Sequence, residues 1–177
     1  MKLEYKIIEQ DFLDFQLFTA SKSDRIKKKK TNSWILLTAG SIMVAFYFYF
    51  KENTIMTIYF GLVAVACGLY FPKYFKWRYK KYFKIYIKEN YSNRFGHVET
   101  IEINNDSIFS KDKTGEGKIN LSEIEKIDET DNHFFLKIST GLSLIIPKRE
   151  LEKTDELKSK FKDLGLTLNN ETNWMWK

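Results

Sequence analysis

The chain has 177 residues and a net charge of +6, which leaves room for one small folded domain beside any membrane segment. Its single cysteine, Cys67, excludes an intrachain disulfide and a cysteine-rich metal site. The two histidines, His97 and His133, have no second histidine or cysteine at ligand spacing, so no metal site is expected and structural or surface roles are favoured.

The N-terminal part, residues 1–33, predicts a strand, a helix and a basic juxtamembrane segment. Residues 2–8 alternate apolar and polar side chains, as in a strand with one buried face. Residues 9–18 carry a wide apolar surface typical of a helix. Asp11 falls in the first turn of that helix, where negative charge suits the helix dipole. Residues 20–31 are then polar and basic.

Two uncharged apolar runs follow, at 34–50 and 54–71, and residues 51–53 separate them. A membrane-spanning helix needs about 20 mostly apolar residues, with about 17 as the lower limit. The connection is too short to fold alone, so we expect antiparallel neighbours that form a transmembrane hairpin over 34–71. Two buried helices of a soluble core are the alternative, but such helices usually show a polar stripe, which neither run has.

Basic residues flank the hairpin on both sides, whereas its connection carries Lys51 beside Glu52. By the positive-inside rule, both termini are expected in the cytoplasm, with a multi-pass anchor in the inner (cytoplasmic) membrane. Basic charge next to apolar runs argues for anionic lipid and against nucleic acid as a partner. The residues expected to face lipid are Lys27, Lys28, Lys29, Lys30, Lys73, Lys76, Arg78, Lys80, Lys84 and Lys88.

Small residues at four-residue spacing occur in both apolar runs. Ser41 and Ala45 lie in the first run, and Ala64 and Gly68 lie in the second. This spacing suits a close contact between the two helices or an interface in a homo-oligomer.

Residues 72–96 predict a basic amphipathic helix. Pro72 suits the first position of a new helix or a kink. Lysines then recur every four residues from Lys76 to Lys88, opposite an aromatic side. Two interpretations remain open: the helix lies on anionic lipid, or its aromatic side packs on protein.

The periodicity changes to two after residue 97, and residues 97–165 predict a β domain with a C-terminal helix. Pro147 ends the expected sheet, a helix follows at 148–164, and Gly165 is its stop signal. The expected short strands are 98–104, 107–111, 118–121, 124–129, 133–139 and 142–146.

The tail, residues 166–177, ends in an aromatic cluster that docks on the membrane, docks on the domain, or frays.

A group of acidic residues lies in and around the expected strand 124–129. Strand alternation would place its members on both faces, so a solvated edge is favoured over a paired-carboxylate site. The members are Glu123, Glu125, Asp128, Glu129 and Asp131.

Three segments resemble the YcxB-like family of bacterial membrane proteins in order and spacing. They are EYKIIEQDFLDFQLFTASKS at the start, the hairpin, and SEIEKIDETDNHFFLKIS with LIIPKREL near the end. Leu121 departs from the pattern, which has an aromatic there. The resemblance implies a pleckstrin-homology-like (PH-like) sheet joined by strand 2–8 despite the inserted hairpin. It brings no catalytic residue and no cofactor.

The expected fold class is an α+β membrane protein with a two-helix transmembrane hairpin and a small antiparallel PH-like sheet capped by a C-terminal helix. The expected function is that of a non-enzymatic, membrane-anchored cytoplasmic binding or regulatory module. Two alternatives remain, an immunity protein that neutralises a bacterial toxin and a sensor of anionic lipid. The expected partners are anionic inner-leaflet lipids and a protein, for which a toxin is one candidate.

Overall fold

The computed structural model describes residues 1–113 and 115–176. Two compact units divide the chain, and we call them the β unit (Met1–Gln16 and Lys84–Met175) and the hairpin unit (Leu17–Phe83 with Trp176). The helices and strands in chain order are β1 Lys2–Lys6, α1 Glu9–Lys22, α2 Asp24–Phe50, α3 Thr54–Tyr91, β2 Val98–Ile103, β3 Ser107–Asp112, β4 Gly115–Asn120, β5 Ile124–Glu129, β6 His133–Ile138, β7 Ser143–Pro147, α4 Thr154–Asp163 and β8 Leu168–Asn170.

The β unit contains two four-stranded sheets, where the sequence predicted one small sheet. Their strand orders are β1-β2-β3-β4 and β7-β6-β5-β8. All pairings are antiparallel except that of β8, which runs parallel to β5. The protein is therefore α+β, as expected.

The prediction that the first strand joins a sheet formed after the hairpin is confirmed. β1 pairs antiparallel with β2, and Lys2 lies opposite Glu102 while Lys6 lies opposite Val98. Side-chain alternation along β1 buries Tyr5 and leaves Glu4 exposed. Chain segments on either side of the hairpin thus build one core.

A second element of the prediction, the C-terminal helix, is confirmed but is shorter than expected. A 3-10 turn, Lys148–Glu150, occupies the place of its first residues, and the α-helix begins at Thr154. Leu157 and Phe161 are four residues apart and fully buried, and Phe161 meets Phe134 edge-on at 5.9 Å. Gly165, with φ of 69°, ends the helix as predicted.

The tail was not expected to contain a strand, yet residues 168–170 form β8. The segment reads Leu-Asn-Asn, which lacks the apolar alternation that signals a strand. Its pairing with β5 places Leu168 opposite Ile127, which is fully buried. Contact with a preformed neighbour therefore decides this strand, and local propensity does not.

In the hairpin unit, α2 and α3 are joined at residues 51–53, as predicted. Phe48 stacks on Phe60 with ring centroids 5.7 Å apart. Both helices continue beyond the apolar runs, because α2 begins at Asp24 and α3 runs on to Tyr91.

Pro72 lies inside α3, so of the two alternatives at this residue, a new helix or a kink, the new helix is wrong. Proline has no N–H to donate to the carbonyl four residues earlier, which is that of Gly68. The indole Nε1 of Trp34 donates to this carbonyl at 3.2 Å. A side chain of α2 thus supplies the hydrogen bond that Pro72 cannot.

Candidate functional site

The hairpin unit exposes an extensive apolar surface. Leu36 is 73%, Phe50 77% and Ile55 79% exposed. Within the most apolar stretch of each helix, no residue of α2 and only 6% of α3 is buried. By length and composition, both helices are able to cross a membrane.

A groove of about 950 Å³ runs between the first half of α2 and the part of α3 around Pro72, and we call it the basic groove. Its cationic end carries Arg25, Lys29 and Arg78. Its apolar end is lined by Leu37 and Phe71. Because residues four apart share a helix face, Arg25, Lys29 and Leu37 all point to the same side of α2.

The cations of the basic groove have no carboxylate partner among the described residues. Between residues 17 and 83 the chain has two carboxylates, Asp24 and Glu52. Asp24 lies 3.7 Å from Lys27, which is not a groove residue. Within residues 1–113 and 115–176, the cationic end therefore holds positive charge that no carboxylate side chain neutralises.

Aromatic rings of α3 form one wall of the basic groove. Phe75 is buried and stacks on Tyr79 at 4.4 Å, and Tyr79 meets Phe83 edge-on at 6.0 Å. Trp176 adds to the same helix, since its Nε1 donates to the carbonyl of Lys76 at 3.3 Å. Of the three alternatives left open for the aromatic tail, Trp176 therefore does not fray, and its contact is with α3 of the hairpin unit.

The residues predicted to face lipid occupy several environments. Lys29 and Arg78 line the basic groove. Lys84 and Lys88 belong to the β unit and are exposed. The remaining members lie on the hairpin unit, and they are Lys27, Lys28, Lys73 and Lys80, which are exposed, and Lys30 and Lys76, which are half-buried.

Sequence reasoning missed Arg25 as a member of this set. Residues 20–31 were expected to be a polar and basic segment before the membrane, and no helix was predicted there. The structure begins α2 at Asp24, with the Ser23 hydroxyl accepting from the Ile26 amide at 3.5 Å. Once that helix start is known, the four-residue spacing of Arg25 and Lys29 indicates a shared face.

Small residues line a second, apolar groove of about 510 Å³ on the hairpin unit, among them Ala45, Gly61 and Ala64. A Cβ on Gly68 would lie 4.0 Å from the side chain of Thr38 on α2, so this glycine lies at the helix contact. The predicted close contact between the two helices is confirmed at Gly68.

A buried ion cluster in the β unit joins α1 to the C-terminal sheet. Asp11 Oδ1 lies 2.8 Å from His133 Nε2, and Asp11 Oδ2 accepts from Arg149 Nη2 and from the Ile8 amide, each at 2.8 Å. Burial alone would raise the pKa of Asp11, but the hydrogen bonds from His133 and Arg149 lower it to about 2. An ionised carboxylate only accepts, so His133 Nε2 carries the proton in this contact. The bonding capacity of Asp11 is used within the core, which indicates a structural role.

Two members of the acidic group are buried, so the expectation of a solvated edge is wrong for them. Glu129 Oε1 accepts from Lys148 at 2.7 Å and from Lys158 at 2.6 Å. Burial would raise the pKa of Glu129, but these two ammonium groups lower it. Asp128 Oδ1 accepts from Asn169 at 2.9 Å. The cover comes from α4 and β8, and the sequence did not predict β8.

Glu99 on β2 has the most raised carboxylate pKa among the described residues, at about 7. Burial is the main cause, Arg94 at 3.8 Å opposes it, and Asp112 adds to it. The crevice beside these residues is too narrow for a water molecule. In residues 1–113 and 115–176, no group of three His, Cys, Asp or Glu side chains is placed to hold a metal ion.

The fold and the site define an α+β protein that combines a two-sheet unit with a helical hairpin able to cross a membrane. Residues 103–164, from the end of β2 to the end of α4, match the family model described as YcxB-like protein. This match confirms the resemblance to the YcxB-like family over those residues. Neither a curated protein nor a solved structure matches the chain.

Proposed function

We propose that the protein is a non-enzymatic, membrane-anchored binding module of the YcxB-like type, with its β unit in the cytoplasm. The observation that carries this proposal is the exposed apolar surface of α2 and α3. Soluble monomers rarely expose contiguous apolar patches larger than a few hundred Å². Lipid around both helices removes this surface from water, at a gain of about 25 cal/mol per Å².

The pairing of β1 with β2 supports two crossings of the membrane. These strands flank the hairpin in sequence and share one sheet, so they lie on the same side of any bilayer. A chain that leaves and returns to one side crosses an even number of times, and α2 and α3 provide two crossings. The basic flanks then favour the cytoplasm as that side.

The state of the perturbed carboxylates supports a non-catalytic role. Catalytic acids and bases usually lie in clefts that admit substrate. Asp11 and Glu129 are instead engaged by neighbouring cations in the core. Glu99 lies beside a crevice without room for a ligand.

An edge strand of the β unit offers a surface for a protein partner. β4 is the last strand of its sheet, and almost all of its residues are exposed. An edge strand presents backbone groups to which an extended segment of another chain can pair. Photo-crosslinking from Glu116 on β4 in native membranes, with Asp131 outside β4 as the matched position, tests this surface.

Thiol labelling in intact bacterial cells tests the topology. In a Cys67→Ser background, Asn53→Cys places a thiol in the connection and Asp131→Cys places one in an exposed loop of the β unit. We expect a membrane-impermeant reagent to label Asn53→Cys in intact cells and Asp131→Cys only after permeabilisation. Recovery of the protein in the soluble fraction, or equal labelling of both positions in intact cells, contradicts the proposal.

Anionic-lipid binding is a second candidate function, and the unneutralised cations of the basic groove favour it. The immunity role stays a prediction, and deletion of the gene tests it through susceptibility to a co-encoded toxin.

A further inference from the structure

We propose that the basic groove binds one anionic glycerophospholipid, with the phosphate against Arg25, Lys29 and Arg78 and an acyl chain toward Leu37 and Phe71. This inference rests on the proposed insertion of the hairpin into a membrane. It differs from general attraction between basic residues and lipid, because it assigns the lipid to one site.

Charge is the first argument for this ligand. Three cations line one end of the groove, and the two carboxylates between residues 17 and 83 do not line it. Like charges held close together repel one another, and a bound anion removes that repulsion. Guanidinium groups such as those of Arg25 and Arg78 donate two parallel hydrogen bonds to a phosphate.

The change of polarity along the groove is the second argument. From Arg25 to Leu37, α2 rises about 18 Å, and from Arg78 back to Phe71, α3 covers about 10 Å, at 1.5 Å per residue. The walls thus change from cationic to apolar along the groove, in the same order in which a glycerophospholipid changes from phosphate to acyl chains. A small soluble anion would leave the apolar end of the groove unfilled.

Depth relative to the apolar runs is the third argument. Lys29 lies about 7 Å before Trp34, where the first apolar run begins, and Arg78 lies about 10 Å after Phe71, where the second ends. The head-group layer on each side of the hydrocarbon core is about 5–8 Å thick. Lys29 therefore lies at the height of lipid phosphates, and the long side chains of Arg25 and Arg78, which start farther out, extend down to them.

The volume agrees with this occupant. A groove of about 950 Å³ lies at the upper end of the 300–1,000 Å³ typical of ligand sites. This space accommodates a head group and the upper part of an acyl chain, while the rest of the lipid remains in the bilayer.

Two triple variants of the full-length protein test the site. Arg25→Gln, Lys29→Gln and Arg78→Gln together remove the cationic end of the groove. Lys27→Gln, Lys28→Gln and Lys80→Gln together remove the same charge from exposed positions that do not line it. The readout is native mass spectrometry of detergent-purified protein titrated with phosphatidylglycerol or phosphatidylcholine.

We expect wild type and the exposed-lysine variant to retain one phosphatidylglycerol, and the groove variant to bind it at least tenfold more weakly. Equal loss in both variants, or full retention by the groove variant, overturns the site. Equal binding of phosphatidylcholine also overturns it, as does displacement of the lipid by soluble glycerol 3-phosphate at similar concentration. Carbonate extraction of wild-type membranes reports insertion separately, so a failure of the anchor is distinguished from a failure of the site.

Discussion

Replacing Asp11 with asparagine tests the buried cluster that ties α1 to the C-terminal sheet. Oδ1 faces His133 Nε2, and Oδ2 faces the Ile8 amide, while Arg149 donates to both oxygens. Asparagine keeps the shape but turns one acceptor into an NH₂ donor. Either orientation of the amide therefore directs a donor at Arg149.

The expected loss is about 3 kcal/mol of folding free energy in the β unit. Removing one partner of a buried ion pair costs about 3–5 kcal/mol. The pKa of Asp11 gives a second measure, because a fall from 3.8 to about 2 corresponds to about 2 kcal/mol at 1.36 kcal/mol per unit. Since the folded pKa lies below the unfolded one, this contribution is complete above about pH 4 and is lost as the pH falls through 2.

Hydrogen exchange of the full-length protein in detergent measures this loss. We expect amides of β1 and β6 to lose about 100-fold in protection at pH 7, since 1.36 kcal/mol is a factor of ten. Glu125→Gln is the control, because Glu125 and Lys137 form an exposed pair of the kind that contributes at most about 1 kcal/mol. If Asp11→Asn changes protection no more than this control does, the cluster does not hold α1 to the sheet.

Two further predictions concern the β unit. Glu99→Gln should raise the melting temperature above about pH 5, and most strongly above pH 7. The pKa of Glu99 is about 7 in the folded protein against 4.5 in the unfolded chain, so the ionised side chain costs up to about 3 kcal/mol of folding free energy. A gain in melting temperature that is the same at every pH contradicts this prediction. Phe161→Ala should cost about 3–5 kcal/mol of folding free energy, because the ring is fully buried against Phe134, and Phe161→Leu should cost less. Hydrogen-exchange protection of α4 and β6 measures both losses. A loss below about 1 kcal/mol for Phe161→Ala would refute the packing role.

Short-range patterns predicted most of the fold, and contacts distant in sequence account for the rest. Alternation located β5 to the residue, and the apolar runs located the hairpin connection. The alternative of a new helix at Pro72 was wrong because the donor that replaces the missing N–H of Pro72 belongs to Trp34, on another helix. β8 was not predicted because this segment forms a strand only through its pairing with β5, where Leu168 lies opposite Ile127.

The candidate site was predicted in part, and for a similar reason. Composition indicated basic residues near the apolar runs, and Lys29 and Arg78 do line the basic groove. It could not indicate which of many similar lysines share a concave surface, because that depends on how α2 faces α3. The Asp11 cluster could not be predicted from the sequence either, because its partners His133 and Arg149 follow Asp11 by more than a hundred residues.

The pairing of β1 with β2 also imposes an order on biosynthesis. The roughly 90 residues between these strands take about 5–20 s to synthesise at 5–20 residues per second. During that interval β1 has no partner strand, and its buried residue Tyr5 has no core to enter. The first sheet closes only after both long helices have left the ribosome and the chain has come back to β1. Closure of this sheet therefore marks the completed synthesis of the hairpin, and a chain stalled within the hairpin keeps β1 without a partner strand.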